Sequence, residues 1–198
     1  MSIIATKADI VWRQRFLLTI GLNPGPVDGI EGKKTQAALT RYQEIAAAAK
    51  AKHGALDVTS ESMLTWVAPE VQAMARQIVR LGSGLGLDVR LSSGMRTYEH
   101  QDRLYAQGRT RPGNIVTNAR GGSSMHNFAR AVDVVMHQAG KPTWAVKLYD
   151  HLGAAVQKQL PKAEWGGLWK FTDRPHYQMT GRRTTAQVRA LFLAGKRI

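Results

Sequence analysis

The chain has 198 residues, 43% of them hydrophobic, with 28 Lys and Arg against 14 Asp and Glu for a net charge of +14; this balance supports a buried core and excludes a disordered polyelectrolyte. It contains no cysteine, which excludes disulfide frameworks, thiolate metal sites and cysteine nucleophiles and leaves any metal to His, Asp or Glu. The positive excess favours polyanionic partners, nucleic acid and anionic cell envelope alike, and charge alone does not choose between them. Up to Trp66 the charges nearly balance, so most of the excess lies in the second part, in Arg103, Arg109, Arg111, Arg120, Arg130 and the tail from Arg182 to Arg197.

Met1 to Phe16 lacks the basic head and apolar centre of a secretory signal. The apolar stretches Ile45 to Ala49 and Ala190 to Ala194 are too short to span a bilayer. The expectation is a chain that stays in the cytoplasm of its host until another agent releases it.

In chain order, Ile10, Phe16, Leu17 and Ile20 share one face of a helix over 9–20, which Gly21 ends. A second helix is expected after Lys34 with Thr35 as N-cap, carrying Ala38, Leu39, Tyr42, Ile45 and Ala49 at helical spacing and closing at His53-Gly54. A third spans Ser60 to Trp66. Pro69 opens a fourth that runs to about Leu81, stopped by Gly82-Ser83-Gly84-Leu85-Gly86. From Asp88 the texture changes. Strands are expected at Val89 to Ser93, Ala131 to Met136 and Pro175 to Met179, and helices at Thr97 to Gln107, Trp144 to Leu160 and Thr185 to Ala194, with a loop over Asn114 to Gly122. This reads as an α+β chain: a small three-helix domain at 1–67, then a larger domain at 68–198 with a central antiparallel sheet flanked by helices.

The stretch Asp28-Gly29-Ile30-Glu31-Gly32-Lys33-Lys34-Thr35, followed by Tyr42-Gln43, resembles the three-helix peptidoglycan-binding domain family over residues 9 to 67. The resemblance implies a wall-binding role for 1–67.

Two of the six histidines stand out. His126 follows Gly121-Gly122-Ser123-Ser124-Met125, and seven residues on Asp133 interrupts the apolar run Ala131 to Met136. A carboxylate in such a strand is costly unless a metal or strong donors satisfy it. His176 begins another strand-like segment. Two imidazoles and one carboxylate form a catalytic zinc set that leaves a position open for water. A carboxylate must then carry the proton from water to the leaving amine. Asp173, three residues before His176, is the candidate if Pro175 bends the chain, with Glu164 as fallback.

Ser124-x-His126 with Asp133, then Asp173-x-x-His176, resembles the zinc D,D-carboxypeptidase superfamily. Ser93-Gly94-Met95-Arg96-Thr97, Tyr105 to Thr110, Ile115 to Gly122 and Trp165-Gly166-Gly167-Leu168-Trp169 are closer to its L-alanyl-D-glutamate endopeptidase branch, which includes phage endolysins. The resemblance implies Zn2+ held by His126, Asp133 and His176, with Asp173 as general base. It also implies that Arg96 binds a substrate carboxylate or the developing oxyanion, and that Ser124 contacts substrate. The activity implied is hydrolysis of the L-Ala–D-Glu bond of peptidoglycan stems by a monomeric endolysin. The alternatives are D-Ala–D-Ala carboxypeptidase or dipeptidase chemistry, and a non-catalytic wall binder with structural zinc. Trp165 and Trp169 read equally as cleft lining or as core and rim aromatics. The basic runs at Arg109 to Arg111 and Arg182-Arg183 are solvated charge or contacts to anionic outer-membrane lipid. The amphipathic tail 185–198 presses on a membrane or docks on the catalytic part, docking being the default. No helix-turn-helix spacing or aromatic RNA-binding motif is present, so no nucleic-acid partner is expected.

Overall fold

The computed structural model describes residues 5–198; Met1 to Ile4, the head of the stretch read for an export signal, lie outside the described residues. Four helices come first: α1 Lys7–Thr19, α2 Lys33–His53, α3 Val58–Met63 and α4 Pro69–Gly84. A reciprocal Thr6–Asp9 capping box starts α1. Thr35 does not cap α2. Gly32 does, and the Thr35 hydroxyl, inside the first turn, donates to the Pro24 carbonyl (2.8 Å) and ties the preceding loop to the helix. That loop is held again by buried Gln14 of α1. Its side-chain oxygen accepts from the Asp28 and Gly29 amides (3.1 and 2.9 Å), and its amide donates to Asp28 and the Ile30 carbonyl. The Asp-Gly motif thus has a structural task. Asp57 rather than a later residue caps α3, shifting that helix two residues earlier than the apolar spacing suggests.

Helix α4 ends within the expected stop segment, at Leu85 with Gly86 at positive φ (75°), but Gly82 and Gly84 lie inside the helix. Gly82 is required there because a Cβ would collide with Val89 on the first strand.

The strands are β1 Asp88–Ser93, β2 Ala131–Gln138, β3 Lys141–Thr143, β4 Glu164–Trp165 and β5 His176–Gln178. All pairings are antiparallel, in the order β1-β2-β5-β4, with β3 also on β2. The short β3 and β4 escape sequence reading because two or three residues carry no period. β3 follows a tight reversal in which Ala139 and Gly140 both adopt positive φ (47° and 75°). Helices α5 Tyr98–Ala106, α6 Val146–Gln159 and α7 Thr185–Leu193 complete the chain.

Strand period decides which face does what. Val89 pairs with Met136 and Leu91 with Val134. These residues, with Val132 and Tyr177, are buried on the face that meets Val71, Ile78, Leu152 and Val156 of α4 and α6 in one core. Asp133 pairs with both Ser93 and His176 and therefore projects from the opposite face.

The buried core continues into the first helices through Phe16, Leu17 and Tyr42 without a break at residues 66 to 69. Arg76 of α4, 2% exposed, forms a two-pronged ion pair with Glu61 of α3 (2.6 and 2.9 Å). The Arg76 hydrogen bonds hold the Glu61 carboxyl down at about 2 against an ordinary 4.5. The sign follows directly. A depressed carboxylate contributes its full stability above the unfolded value and loses it as pH falls from 4.5 towards 2. Glu61→Gln is expected to lower stability by roughly 3 kcal/mol at pH 7, and the difference from the parent should shrink in acid. Denaturant unfolding at both pH values checks this.

Candidate metal centre and active site

The register between β2 and β5 places Asp133 beside His176. His126 arrives separately, on a 3-10 turn spanning Met125–Phe128, with Ser124 as its N-cap and Ala129 closing it in the left-handed region (φ 61°). His126 Nε2, His176 Nδ1 and Asp133 Oδ1 lie 3.1 to 3.2 Å from one another. The imidazoles are 1% and 6% exposed. Among the described residues these three form a group able to hold a metal ion.

Hydrogen bonds behind the rings set which nitrogens are free. His126 Nδ1 donates to the Gly94 carbonyl (2.6 Å), leaving the Nε2 lone pair facing inward. His176 Nε2 donates to Gln178 Oε1 (2.9 Å), leaving Nδ1 facing inward. Gln178 Nε2 donates in turn to Glu164 (3.0 Å). Three lone-pair donors thus point at one another, an arrangement that repels itself without a cation between them. A tetrahedral ion with bonds of about 2.0 to 2.2 Å separates its ligands by about 3.3 to 3.6 Å, near what is seen. The donor set fits a divalent metal such as zinc.

Charge agrees with this at Asp133 and His126, while at His176 a proton competes for the inward nitrogen. Burial works to raise the Asp133 carboxyl, but the two imidazoles outweigh it and hold it well below the carboxylate range. Burial lowers His126. At His176 burial also pulls downward, but hydrogen bonding and attraction to Asp133 prevail and raise it.

Arg96 follows β1, whose register slips between Leu91 and Ser93 and re-aims the chain. Its guanidinium grips Asp133 Oδ2, the carboxylate oxygen turned away from the imidazoles. Ser93 Oγ (2.8 Å) and buried Gln101 (3.4 Å) hold the other guanidinium edges. Asp173 precedes β5 in the expected bend, its carbonyl accepting from the His176 amide (3.2 Å). Its surface is open to solvent, yet the protein beneath it and the Asp133 charge raise its carboxyl above the ordinary value.

Glu164 does not serve as fallback base. Its place opposite Gln178 across β4 and β5 puts it behind the His176 ring, where Gln178, Thr180 and the Arg182 amide saturate it. Gln178 and Gln101 went unread in the sequence. Gln178 had a signal, since i and i+2 share a strand face; Gln101 had none. Of the two tryptophans, Trp165 is core, stacked on Tyr177. Trp169 is 40% exposed with its ring centroid 5.1 Å from that of His176, on a rim shared with exposed Leu168 and Phe171. Arg109 is occupied with the Tyr105 and Thr117 carbonyls and Asn118. Helix α7 docks through buried Val188 and Phe192. Among the described residues no helix is long and apolar enough to cross a membrane.

A twisted antiparallel sheet presenting two tautomer-locked imidazoles and a carboxylate, with a further acid alongside, is the construction of a metal-dependent hydrolase. The comparisons agree. Residues 117–179 match the sequence profile of the M15 peptidase family described as D-alanyl-D-alanine carboxypeptidase. The chain is 37% identical to the peptidoglycan L-alanyl-D-glutamate endopeptidase CwlK of Bacillus subtilis (strain 168), over 56% of this chain and 72% of the relative. The crystal structure of the Serratia marcescens L-Ala D-Glu endopeptidase ChiX superposes with a TM-score of 0.50 at 28% identity, covering 64% of this chain and 90% of that one. The chain belongs to the M15 peptidase family.

Proposed function

We propose that this chain hydrolyses the L-Ala–D-Glu bond of peptidoglycan stem peptides, with zinc held by His126, Asp133 and His176. The observation that carries the reading is the convergence of three lone-pair donors whose outer edges are tied to Gly94, Gln178 and Arg96. Kinship with two endopeptidases of this specificity supports the choice of bond. When bound, zinc supplies Lewis acidity towards a carbonyl and acidifies water near neutral pH. Asp173 takes the proton from the attacking water and delivers it to the departing amine. Arg96 fixes the Asp133 carboxylate, and its permanent charge is available to a substrate carboxylate or oxyanion. Ser124 contacts substrate from the rim of the His126 turn, and exposed Trp169 supplies an apolar wall.

In this reading residues 1–67 are a wall-binding domain. A groove of about 490 Å³ beside Trp66, lined among others by Arg13, Glu31, Tyr42 and Gln43, offers polar and aromatic walls to a sugar–peptide. The net charge of +14 suits anionic envelope polymers or outer-membrane lipid, and a monomeric phage endolysin released from the host cytoplasm accommodates all these features.

Digestion of purified sacculi, with and without a chelator, tests the proposal. The expected result is new D-Glu amino termini, absent after verified zinc removal and restored by zinc. Released D-Ala would assign the carboxypeptidase reading instead, and unchanged products in zinc-free enzyme would refute the mechanism.

A further inference from the structure

The residues that complete the site from outside the sheet come from two segments. One is the connection between β1 and α5, which supplies Arg96 and the Gly94 carbonyl; the other is the 3-10 turn carrying His126. They are bonded chiefly to each other: Arg96 N to the His126 carbonyl (3.2 Å), Asn127 Nδ2 to the Arg96 carbonyl (2.9 Å) and His126 Nδ1 to Gly94. Neither lies within a strand ladder.

From outside, both segments are gripped by residues that precede α4. Trp12 Nε1 of α1 donates to the Asn127 carbonyl across 115 positions of sequence (3.0 Å). The Ala68 amide donates to the carbonyl of Ala129, the left-handed residue that ends the turn (3.0 Å). Just before the other segment, the buried Ser60 hydroxyl of α3 accepts from Leu91 N (2.9 Å), the last β1 residue before the register slips and the chain turns towards Gly94 and Arg96. Gly94 sits so close to the Met63 carbonyl that no Cβ would fit. The indole of Trp12 has little freedom to choose another partner. It is stacked on Phe16 and flanked by Trp66 and by Phe192, whose ring also meets Phe128 of the turn.

We infer that the N-terminal helices are a working part of the metal centre, with Trp12 and Ser60 as positioning residues for His126 and Arg96. The inference rests on His126, Asp133 and His176 being the ligands. It means that metal affinity and wall targeting are not separable by cutting the chain near residue 67. Loss of a contact made directly to a ligand typically costs about 10- to 100-fold in metal affinity, and Trp12 and Ser60 act one contact further out, through the Asn127 carbonyl and the Leu91 amide.

The test uses the full-length protein. Trp12→Phe keeps an aromatic ring and removes the N–H donor, and Ser60→Ala removes the acceptor at Leu91. Zinc affinity is read by competition with a chromophoric chelator, ligand geometry by the visible spectrum of the Co2+ form, and wall binding by co-sedimentation with sacculi. Val156→Ala, a core change on α6, controls for lost stability. The expected result is a zinc affinity weaker by up to about 10-fold, the lower end of what a direct ligand contact supplies, and an altered Co2+ spectrum in both positioning variants. Sacculus binding should be retained, and Val156→Ala should have parental metal affinity at an equal or greater loss of stability. If Trp12→Phe does not fold, Ser60→Ala decides alone. Parental zinc affinity and Co2+ spectrum in the folded variants would overturn the inference while leaving the ligand assignment intact. Failure of the parent itself to bind zinc would instead overturn the ligand assignment, and the inference with it.

Discussion

Asp133→Ala is expected to abolish zinc binding and peptidase turnover while leaving the chain folded at neutral pH. The carboxylate is the anionic member of the donor set, 3.1 Å from each inward-facing imidazole nitrogen, and its second oxygen receives Arg96. Without it, two neutral rings and a permanent guanidinium surround the site, and the guanidinium repels any cation that the rings attract. The fold should persist because strand period points Asp133 away from the face where Val132 and Val134 pack. Leaving the mostly buried Arg96 without its carboxylate should cost about 3–5 kcal/mol. In the metal-free parent the depressed Asp133 carboxyl contributes stability fully above about pH 4, and loses it as pH falls through the folded value. The variant should lack that acid-sensitive contribution. Metal content after dialysis and a thermal unfolding curve read both effects. Stoichiometric zinc in the variant would remove Asp133 from the ligand set.

Asp173→Asn should do the opposite to the metal, leaving zinc bound while lowering kcat about 10²- to 10⁴-fold, the usual share of a proton-transferring group. The bend before β5 is made by backbone, the Asp173 carbonyl accepting from His176 N, so an amide side chain should not displace the ligand. The parental carboxyl is raised by the protein packed beneath it and by Asp133. A general base must be ionised to act. The acid limb of the parental pH profile should therefore lie above that of an ordinary carboxylate, and it should vanish from the residual activity of the variant. Turnover within about tenfold of the parent, well short of what a proton carrier supplies, would assign proton transfer elsewhere. Loss of zinc would make Asp173 a structural support.

These two substitutions separate holding the ion from moving the proton, and the division follows from chain geometry. Asp133 and His176 share a sheet face because antiparallel register pairs them, whereas Asp173 lies outside the ladder, three residues before the strand begins. The rise in His176 caused by Asp133 adds a consequence for metal affinity. Protons compete with the cation for Nδ1, so zinc should be released as the solution is acidified.

The helices at 9–20, 97–107, 144–160 and 185–194 and the main strands were legible because apolar period and capping residues are local signals. So was the unusual cost of Asp133 in an apolar run. Thr35 misled, since a threonine near a helix start is as able to anchor the preceding loop, through Pro24, as to cap. The glycines at 82 and 84 misled as well. Gly82 is a helix residue because a strand and a neighbouring helix press against it, a tertiary demand that outweighs the roughly 1 kcal/mol cost of glycine in a helix.

The sequence by itself determined the longer elements, the absence of thiol chemistry and the candidate residues His126, Asp133, His176 and Asp173, because propensity, period and side-chain chemistry are properties of neighbouring residues; Arg96 was a candidate only through the family resemblance. Only the tertiary structure decided that the three candidate ligands meet at 3.1 to 3.2 Å, that Gly94 and Gln178 select the free nitrogens, and that Glu164 stands behind His176. It also decided that the core runs on through the expected boundary and that Trp12 reaches the His126 turn. Cross-strand register and long-range packing create most of those relations, joining residues as far apart as Trp12 and Asn127; Gln178, two places from His176 on one strand face, is the exception that a local pattern could reach.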